Sequence, residues 1–203
     1  MIKSIKKSDL SFFIITFSYW FFMLTDGALR MLVLLHFHTL GFTPLQLAYL
    51  FLLYEFFGMV TNLTAGWIAK KIGLNITLYS GLFLQILSLL LLTQIDKNWS
   101  ITLSVIFVMA TQGLSGAAKD LTKMSAKSSV KLLAPDNNSK LFQWVSFMTG
   151  SKNAVKGFGF LLGSLLLTFI GFKSSLFFMA AFLSITLIPV SYTHLTLPTI
   201  LLV

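Results

Sequence analysis

The chain has 203 residues, of which 56% are hydrophobic and 10% are charged, and its formal net charge is +9. A soluble domain is closer to about 45–50% apolar and about 25% charged, so the composition excludes an ordinary water-soluble fold. The absence of cysteine excludes disulfides and thiolate chemistry. The lysines lie between apolar segments rather than on one continuous stretch, so we expect no nucleic-acid partner.

Six apolar segments are long enough to cross a bilayer, which takes about 20 residues. They cover residues 11–37, 44–69, 74–94, 99–121, 146–170 and 174–190. Backbone amides in lipid must be paired within their own segment, so each segment is predicted to be a helix. The predicted fold class is all-α: a polytopic membrane protein with six transmembrane helices in one domain, residues 1–189. The short polar cluster at 134–139, which contains Pro135, is predicted to be a turn.

The lysines also predict the orientation of the helices. With a cytoplasmic N-terminus, the inside segments hold the lysines at positions 3, 6, 7, 70, 71, 119, 123, 127, 131, 140 and 152, whereas the outside loops hold only Lys97 and Lys173. This asymmetry follows the positive-inside rule. The lipid bilayer is therefore the expected surroundings of a multi-pass protein whose N-terminus is cytoplasmic.

The first apolar segment carries Asp26 and Arg30 near its middle, and Arg30 is the only arginine in the chain. Charges inside hydrocarbon cost several kcal/mol and usually face a bundle interior or a water-filled path. The i, i+4 spacing places the two on one helical face, where they can partly neutralise each other. At 1.5 Å per residue, Asp26 lies ~22 Å from the cytoplasmic end of its helix, and Glu55, on the antiparallel second helix, lies ~21 Å from the same side.

These three residues form the first candidate site. We expect Arg30 to contact a substrate oxyanion, because its planar fork suits bidentate binding. Asp26 or Glu55 would pair with Arg30 in the empty site and could carry a coupling proton. The alternative is a static buried ion pair that only fixes helix packing.

Four lysines recur every four residues and form a stripe on one helical face: Lys119, Lys123, Lys127 and Lys131. They either contact anionic lipid headgroups or form a cationic funnel that attracts an anionic substrate. Lys152 and Lys156 are a second i, i+4 pair, and Lys156 lies ~6 Å deeper in the membrane, which makes it the better candidate for binding substrate.

The sequence contains no nucleophile–base pair, no metal-ligand cluster and no phosphate-binding glycine loop. His36 and His38, at i and i+2, do not share a helical face. We therefore expect neither an enzyme nor a metal site, and no cofactor.

Three segments resemble motifs of the major facilitator superfamily. Residues 66–75 resemble its G-x-L-A-D-R-x-G-R-K motif, although Lys70 replaces the acidic residue and Leu74 a basic one. Residues 109–113 resemble the end of its R-x-x-Q-G motif without the arginine. The antiporter motif G-x8-G-x3-G-P is matched by Gly150, Gly159 and Gly163, with Ser164 for proline. Close helix packing is an alternative explanation for these glycines.

The resemblance implies the N-terminal half of such a transporter. That family pairs two six-helix halves around a site near the membrane midplane, so a C-terminal six-helix half would be missing. We expect the 203-residue chain to be inactive in transport without it.

Four segments resemble more narrowly the ArsJ organoarsenical efflux permeases: residues 24–38, 54–58, 116–127 and 149–157. This resemblance implies export of 1-arseno-3-phosphoglycerate across a bacterial inner membrane by alternating access, arsenic resistance, and a functional link to a glyceraldehyde-3-phosphate dehydrogenase. Asn153, within the last segment, joins Lys152 and Lys156 as a candidate substrate contact. Two alternatives remain: another organophosphate or small-anion antiporter of the superfamily, and a non-transporting membrane scaffold or lipid-binding module.

The end of the chain resembles translated sequencing adapter. Residues 190–199 read as ten residues that a transposase adapter used in sequencing libraries would encode. We therefore expect residues 190–203, which include His194, to be a non-native tail, and the natural protein to continue past Pro189.

Overall fold

A computed structural model describes residues 2–96, 98–133 and 138–191. Lys97, residues 134–137 and most of the predicted tail, residues 192–203, lie outside this part, as do the side chains of Lys3, Lys6, Lys7 and Lys140. All regular structure in the described part is helical, in the order α1 (Ile2–Thr39), α2 (Pro44–Leu50), α3 (Leu52–Ile72), α4 (Leu74–Leu92), α5 (Ile101–Leu133), α6 (Asn138–Ile170) and α7 (Phe172–Ser191). The all-α prediction is confirmed.

Six helical segments of the described chain are long and apolar enough to cross a membrane. They are Leu10–Thr39, Pro44–Ile72, Leu74–Leu92, Ile101–Leu133, Leu141–Ile170 and Phe172–Ser191. The second comprises α2 and α3, which are interrupted only at Phe51. The protein is therefore a multi-pass membrane protein, as predicted.

The stretch between the fourth and fifth spans is more helical than predicted. α5 continues to Leu133 and α6 already begins at Asn138. The predicted turn at 134–139 is wrong for its last two residues, which belong to α6, and its other residues lie outside the described part. The four-residue period of the lysine stripe fits this longer helix, since i and i+4 lie on one helical face.

Two joins between spans are formed by local capping and turn residues. At the start of α2, Thr43 Oγ1 accepts a hydrogen bond from the Gln46 amide at 3.4 Å, and Gln46 Oε1 accepts one from the Thr43 amide at 2.9 Å. This reciprocal capping box satisfies free helix-end donors, and Pro44 occupies the first turn, where no amide is needed. Gly73 joins α3 to α4 with φ +92°, a conformation that side chains disfavour.

α1 is the central helix of the bundle. In an apolar stretch of 18 residues within each span, about 67% is buried for α1, against 28% for α2–α3 and 11% for α6. The buried side chains of α1 include Ile15, Tyr19 and Phe22, and it packs against α5, α6 and α7. Residues of α1 therefore lie where several helices can contact them.

Three glycines bring the backbones of α1 and α6 into direct contact. A Cβ atom at Gly159 would overlap the carbonyl oxygen of Leu24, and one at Gly163 would overlap the backbone of Ala28; Gly27 faces them from α1. Such small residues allow helices in membranes to approach closely. Gly150, by contrast, has no atom within 4 Å of its Cβ position, so packing accounts for two of the three glycines that match the antiporter motif.

α5 joins the bundle through a glycine contact with α3 and through hydrogen bonds with α4. Gly116 lies against the backbone of Tyr54, where a Cβ atom would overlap the carbonyl oxygen. On the α4 side, Ser115 Oγ donates to Gln85 Oε1 at 2.7 Å and Ser88 Oγ donates to the Thr111 carbonyl at 2.8 Å. Gln85 therefore bonds across helices, one of the uses expected of polar residues within spans.

The α1–α6 contact gives the first testable prediction. Gly159→Ala should lower the free energy of unfolding by about 1–3 kcal/mol, because the added methyl group overlaps the carbonyl oxygen of Leu24 and forces the two helices apart. Gly150→Ala is the matched control on the same helix and should cause no loss. Unfolding of both variants in detergent micelles, followed by tryptophan fluorescence, measures the difference. Equal stability of the two would show that the glycine contact does not hold α1 against α6.

Candidate functional site

Charged side chains from four helices lie close together, some buried in the bundle and some exposed. α1 contributes an acid and a base, α3 an acid beside a tyrosine, α5 an acid between two lysines, and α6 a lysine. We call this group the charged cluster: Asp26, Arg30, Tyr54, Glu55, Lys119, Asp120, Lys123 and Lys156. With three acids and four bases it has a formal charge of +1.

One part of the charged cluster is buried and fully bonded. Asp26 has no exposed surface; its Oδ1 accepts a 2.6 Å hydrogen bond from the Tyr54 hydroxyl, and its Oδ2 accepts a 2.7 Å bond from Lys156 Nζ. Lys156 reaches Asp26 because the glycine contact between α1 and α6 brings its backbone against Gly27. A carboxylate held by two such donors is compensated for the water it has lost.

The other part of the charged cluster is more open. Arg30 Nη2 donates a 2.6 Å bond to Glu55 Oε1, while Lys119 Nζ lies 3.8 Å from Glu55 Oε2. The Glu55 carboxylate therefore bridges two cations that come from α1 and α5. Its side chain is 63% exposed, against 26% for Arg30 and 17% for Lys119.

Tyr54 connects the two parts. Its hydroxyl donates to Asp26, while the guanidinium carbon of Arg30 lies 3.9 Å from the centroid of its ring and Lys119 Nζ lies 4.3 Å from the same centroid. Cations over an aromatic face are attracted by its quadrupole. A buried tyrosine thus positions both cations that Glu55 bridges.

Asp120 forms ion pairs with two lysines of α5. It is 4% exposed, and its carboxylate lies 3.6 Å from Lys119 Nζ and 3.0 Å from Lys123 Nζ. Lys119 is therefore shared between Asp120 and Glu55. A lysine between two carboxylates is fixed in place without being fully neutralised by either one.

The structure separates the pair that the i, i+4 spacing suggested. Asp26 bonds to Tyr54 and Lys156, and Arg30 bonds to Glu55 instead of Asp26. The reason is packing between helices: α6 brings Lys156 to one side of Asp26, and Tyr54 fills the space beside it. Of the two carboxylates that were expected to pair with Arg30, Glu55 is the one that does so.

The remaining predicted residues lie apart from the charged cluster. Lys152 is half-buried and Asn153 is exposed, and neither bonds to a cluster residue within the described part of the chain. Lys127 is half-buried and Lys131 exposed, toward the end of α5. Of the lysine stripe, only Lys119 and Lys123 thus enter the charged cluster.

Two members of the charged cluster were missed from the sequence. Tyr54 directly precedes Glu55 in the middle of a span, and Asp120 lies among the lysines of the stripe. A phenol or carboxylate at such depth needs a partner, and that requirement could have identified both. Their partners could not be named, because they depend on how α3 and α5 pack against α1.

Arg30 keeps an unused donor. Its Nε is buried and has no hydrogen-bond partner among the described residues. A guanidinium has five N–H groups, so Arg30 can hold Glu55 and still donate to another acceptor.

Comparison of the chain with known protein families and with curated proteins finds no match. The assignment of this bundle to a transporter family therefore stays a prediction from the resembling segments.

Replacing Asp26 or Glu55 by its amide should distinguish the buried part of the charged cluster from the open part. Asp26→Asn should lower the free energy of unfolding by about 3 kcal/mol, the lower end of the range for breaking a buried pair, because Lys156, whose side chain is 24% exposed, loses its charged partner. Glu55→Gln should cost about 1 kcal/mol or less, as for exposed ion pairs. Denaturant unfolding of the full chain in detergent measures both.

Adding Lys156→Met to Asp26→Asn is the control for this interpretation. The double variant should be more stable than Asp26→Asn alone, since no uncompensated charge remains. If Asp26→Asn is as mild as Glu55→Gln, the buried pair does not stabilise the bundle.

Proposed function

We propose that this chain is a six-helix unit of a secondary transporter that exports a small organic anion carrying phosphate or arsenate. The observation that supports this most is the Glu55 carboxylate, whose two oxygens face Arg30 and Lys119 at 2.6 and 3.8 Å. Two cations that hold one planar oxyanion form a site that another oxyanion can occupy.

In this proposal Glu55 takes the place of the substrate when the site is empty. A phosphate, arsenate or carboxylate group presents the same pair of oxygens to Arg30, and the guanidinium fork favours bidentate binding of such groups. A net positive cluster favours an anionic ligand over a cation or a neutral molecule.

The two carboxylates near Arg30 would then have different roles. Asp26 has no exposed surface and two short bonds, so it anchors Tyr54 and Lys156 as a positioning residue. Glu55 is 63% exposed and partly held, so it is the group that a substrate can displace. Once released, Glu55 can take up a proton and serve as the coupling carboxylate.

The exposure of Glu55 also supports transport over a static role. A carboxylate exposed in the middle of a span would contact lipid tails, at a cost of several kcal/mol, unless water or more protein covers it. A second six-helix half, as in the major facilitator superfamily, would enclose this face around a water-filled site. Rocking of the two halves would then expose the site to each side in turn.

The resemblance to the ArsJ permeases gives the substrate that we propose, 1-arseno-3-phosphoglycerate, made where a glyceraldehyde-3-phosphate dehydrogenase uses arsenate. The location that follows is a bacterial inner membrane with the N-terminus in the cytoplasm. An organophosphate antiporter of the same superfamily is the alternative that the same cationic site also suits.

Anion binding to the full chain tests the exchange with Glu55. With 3-phosphoglycerate as the probe, Glu55→Gln should bind roughly ten times more tightly than the original chain, because the competing carboxylate is removed. Arg30→Lys should bind roughly ten times more weakly, since a lysine lacks the fork. Lys173→Gln, which removes a lysine in the first turn of α7, should bind as the original does. Calorimetry in detergent measures all four.

Weaker binding by Glu55→Gln would contradict the exchange, because it would make Glu55 part of the anion site instead of a competitor. Equal binding by all four chains would contradict the anion site itself.

Transport is tested in an arsenate-sensitive bacterium that carries the uninterrupted gene together with a glyceraldehyde-3-phosphate dehydrogenase. Arsenate resistance and reduced cellular arsenic should require both proteins, and Arg30→Gln should abolish both effects while the protein stays at its normal abundance in the membrane. A scaffold or lipid-binding module would lose abundance or assembly instead. The chain alone is the further control, and transport without a second half would contradict the assignment as a half-transporter.

A further inference from the structure

A second concave region lies at the end of the bundle where α3 turns into α4 and α5 ends. It is a groove of about 470 Å³, within the size range of ligand sites, about 300–1,000 Å³. Ala69, Leu74 and Met124 form its apolar floor, and Lys70 and Lys131 lie at its mouth. None of these residues belongs to the charged cluster.

The groove is open because residue 66 is a glycine. Gly66 lines it from α3, and a Cβ atom there would meet only the methyl group of Met124, at 3.6 Å. A larger side chain at this position would extend into the groove. The space between α3 and α5 therefore depends on the absence of a side chain at residue 66.

The two lysines at the mouth are free of acidic partners. Lys70 and Lys131 come from the last turns of α3 and α5, and both are exposed. Among the described residues, neither forms an ion pair with a carboxylate. The ends of spans lie at the depth of lipid headgroups, where lysines extend toward the interface. Ser128, also at the groove, has only the weak sulfur acceptor of Met124, at 3.9 Å.

We propose that this groove binds one anionic diacyl phospholipid. An acyl chain would lie on the apolar floor, and the headgroup phosphate would lie between Lys70 and Lys131, with the Ser128 hydroxyl as a further donor. A free phosphate would leave the floor uncovered, and a zwitterionic lipid would gain less from two cations. Basic pockets between transmembrane helices suit anionic headgroups for this reason. The proposal does not depend on transport of any substrate.

Native mass spectrometry of the full chain, incubated with equal amounts of phosphatidylglycerol and phosphatidylcholine, tests the site. The original chain should retain phosphatidylglycerol preferentially. Lys70→Gln and Lys131→Gln should each lower the ratio of the two bound lipids about five-fold, which corresponds to about 1 kcal/mol per lysine. Gly66→Leu keeps both lysines but fills the groove, and it should reduce retention of both lipids.

Lys71→Gln is the matched control, because it removes a neighbouring lysine whose ammonium lies 5.2 Å from the ring centroid of Trp67 and does not line the groove. It should leave the lipid ratio unchanged. The proposal is overturned if Lys71→Gln lowers the ratio as much as Lys70→Gln, which would indicate diffuse surface charge. Equal retention of the two lipids by the original chain would overturn it as well.

Discussion

The ion pair between Asp26 of α1 and Lys156 of α6 is the interaction on which the rest of the bundle depends. A buried carboxylate with no exposed surface is tolerated only when a cation and a hydrogen-bond donor reach it. The cation, Lys156, reaches Asp26 because Gly27 and Gly159 let the backbones of α1 and α6 touch, and the donor, the Tyr54 hydroxyl, comes from α3. Backbone contact and charge pairing therefore support each other: the glycines bring Lys156 close to Asp26, and the ion pair compensates the carboxylate that the close contact buries.

Tyr54 links the buried ion pair to the open part of the charged cluster. Its hydroxyl bonds to the buried carboxylate, and its ring lies near Arg30 and Lys119. The distance between these two cations is thus set by a residue that is itself held by Asp26. A ligand that replaced Glu55 would find the cations already positioned, which reduces the ordering cost of binding.

Most of the fold could be predicted from the sequence, whereas the side-chain contacts between helices could not. Length and hydropathy predicted six spans, and the capping box at Thr43 and the turn at Gly73 depend on nearby residues alone. The pairing of Asp26 with Lys156 joins residues far apart in sequence, and helical periodicity on α1 suggested Arg30 instead. Depth along a span predicted that Glu55 could reach Arg30, since antiparallel neighbours place residues at matching heights.

The lysine stripe on α5 shows how one sequence pattern can serve two purposes. Its inner members, Lys119 and Lys123, are held by Asp120, whereas Lys131 lies at the mouth of the groove near the helix end. Four-residue spacing places all four lysines on one face but cannot tell which have a carboxylate within reach. The lysines differ because Asp120 lies within reach of only two of them. Lys119 and Lys123 therefore belong to the charged cluster, whereas Lys131 lies at the interface end of the same helix.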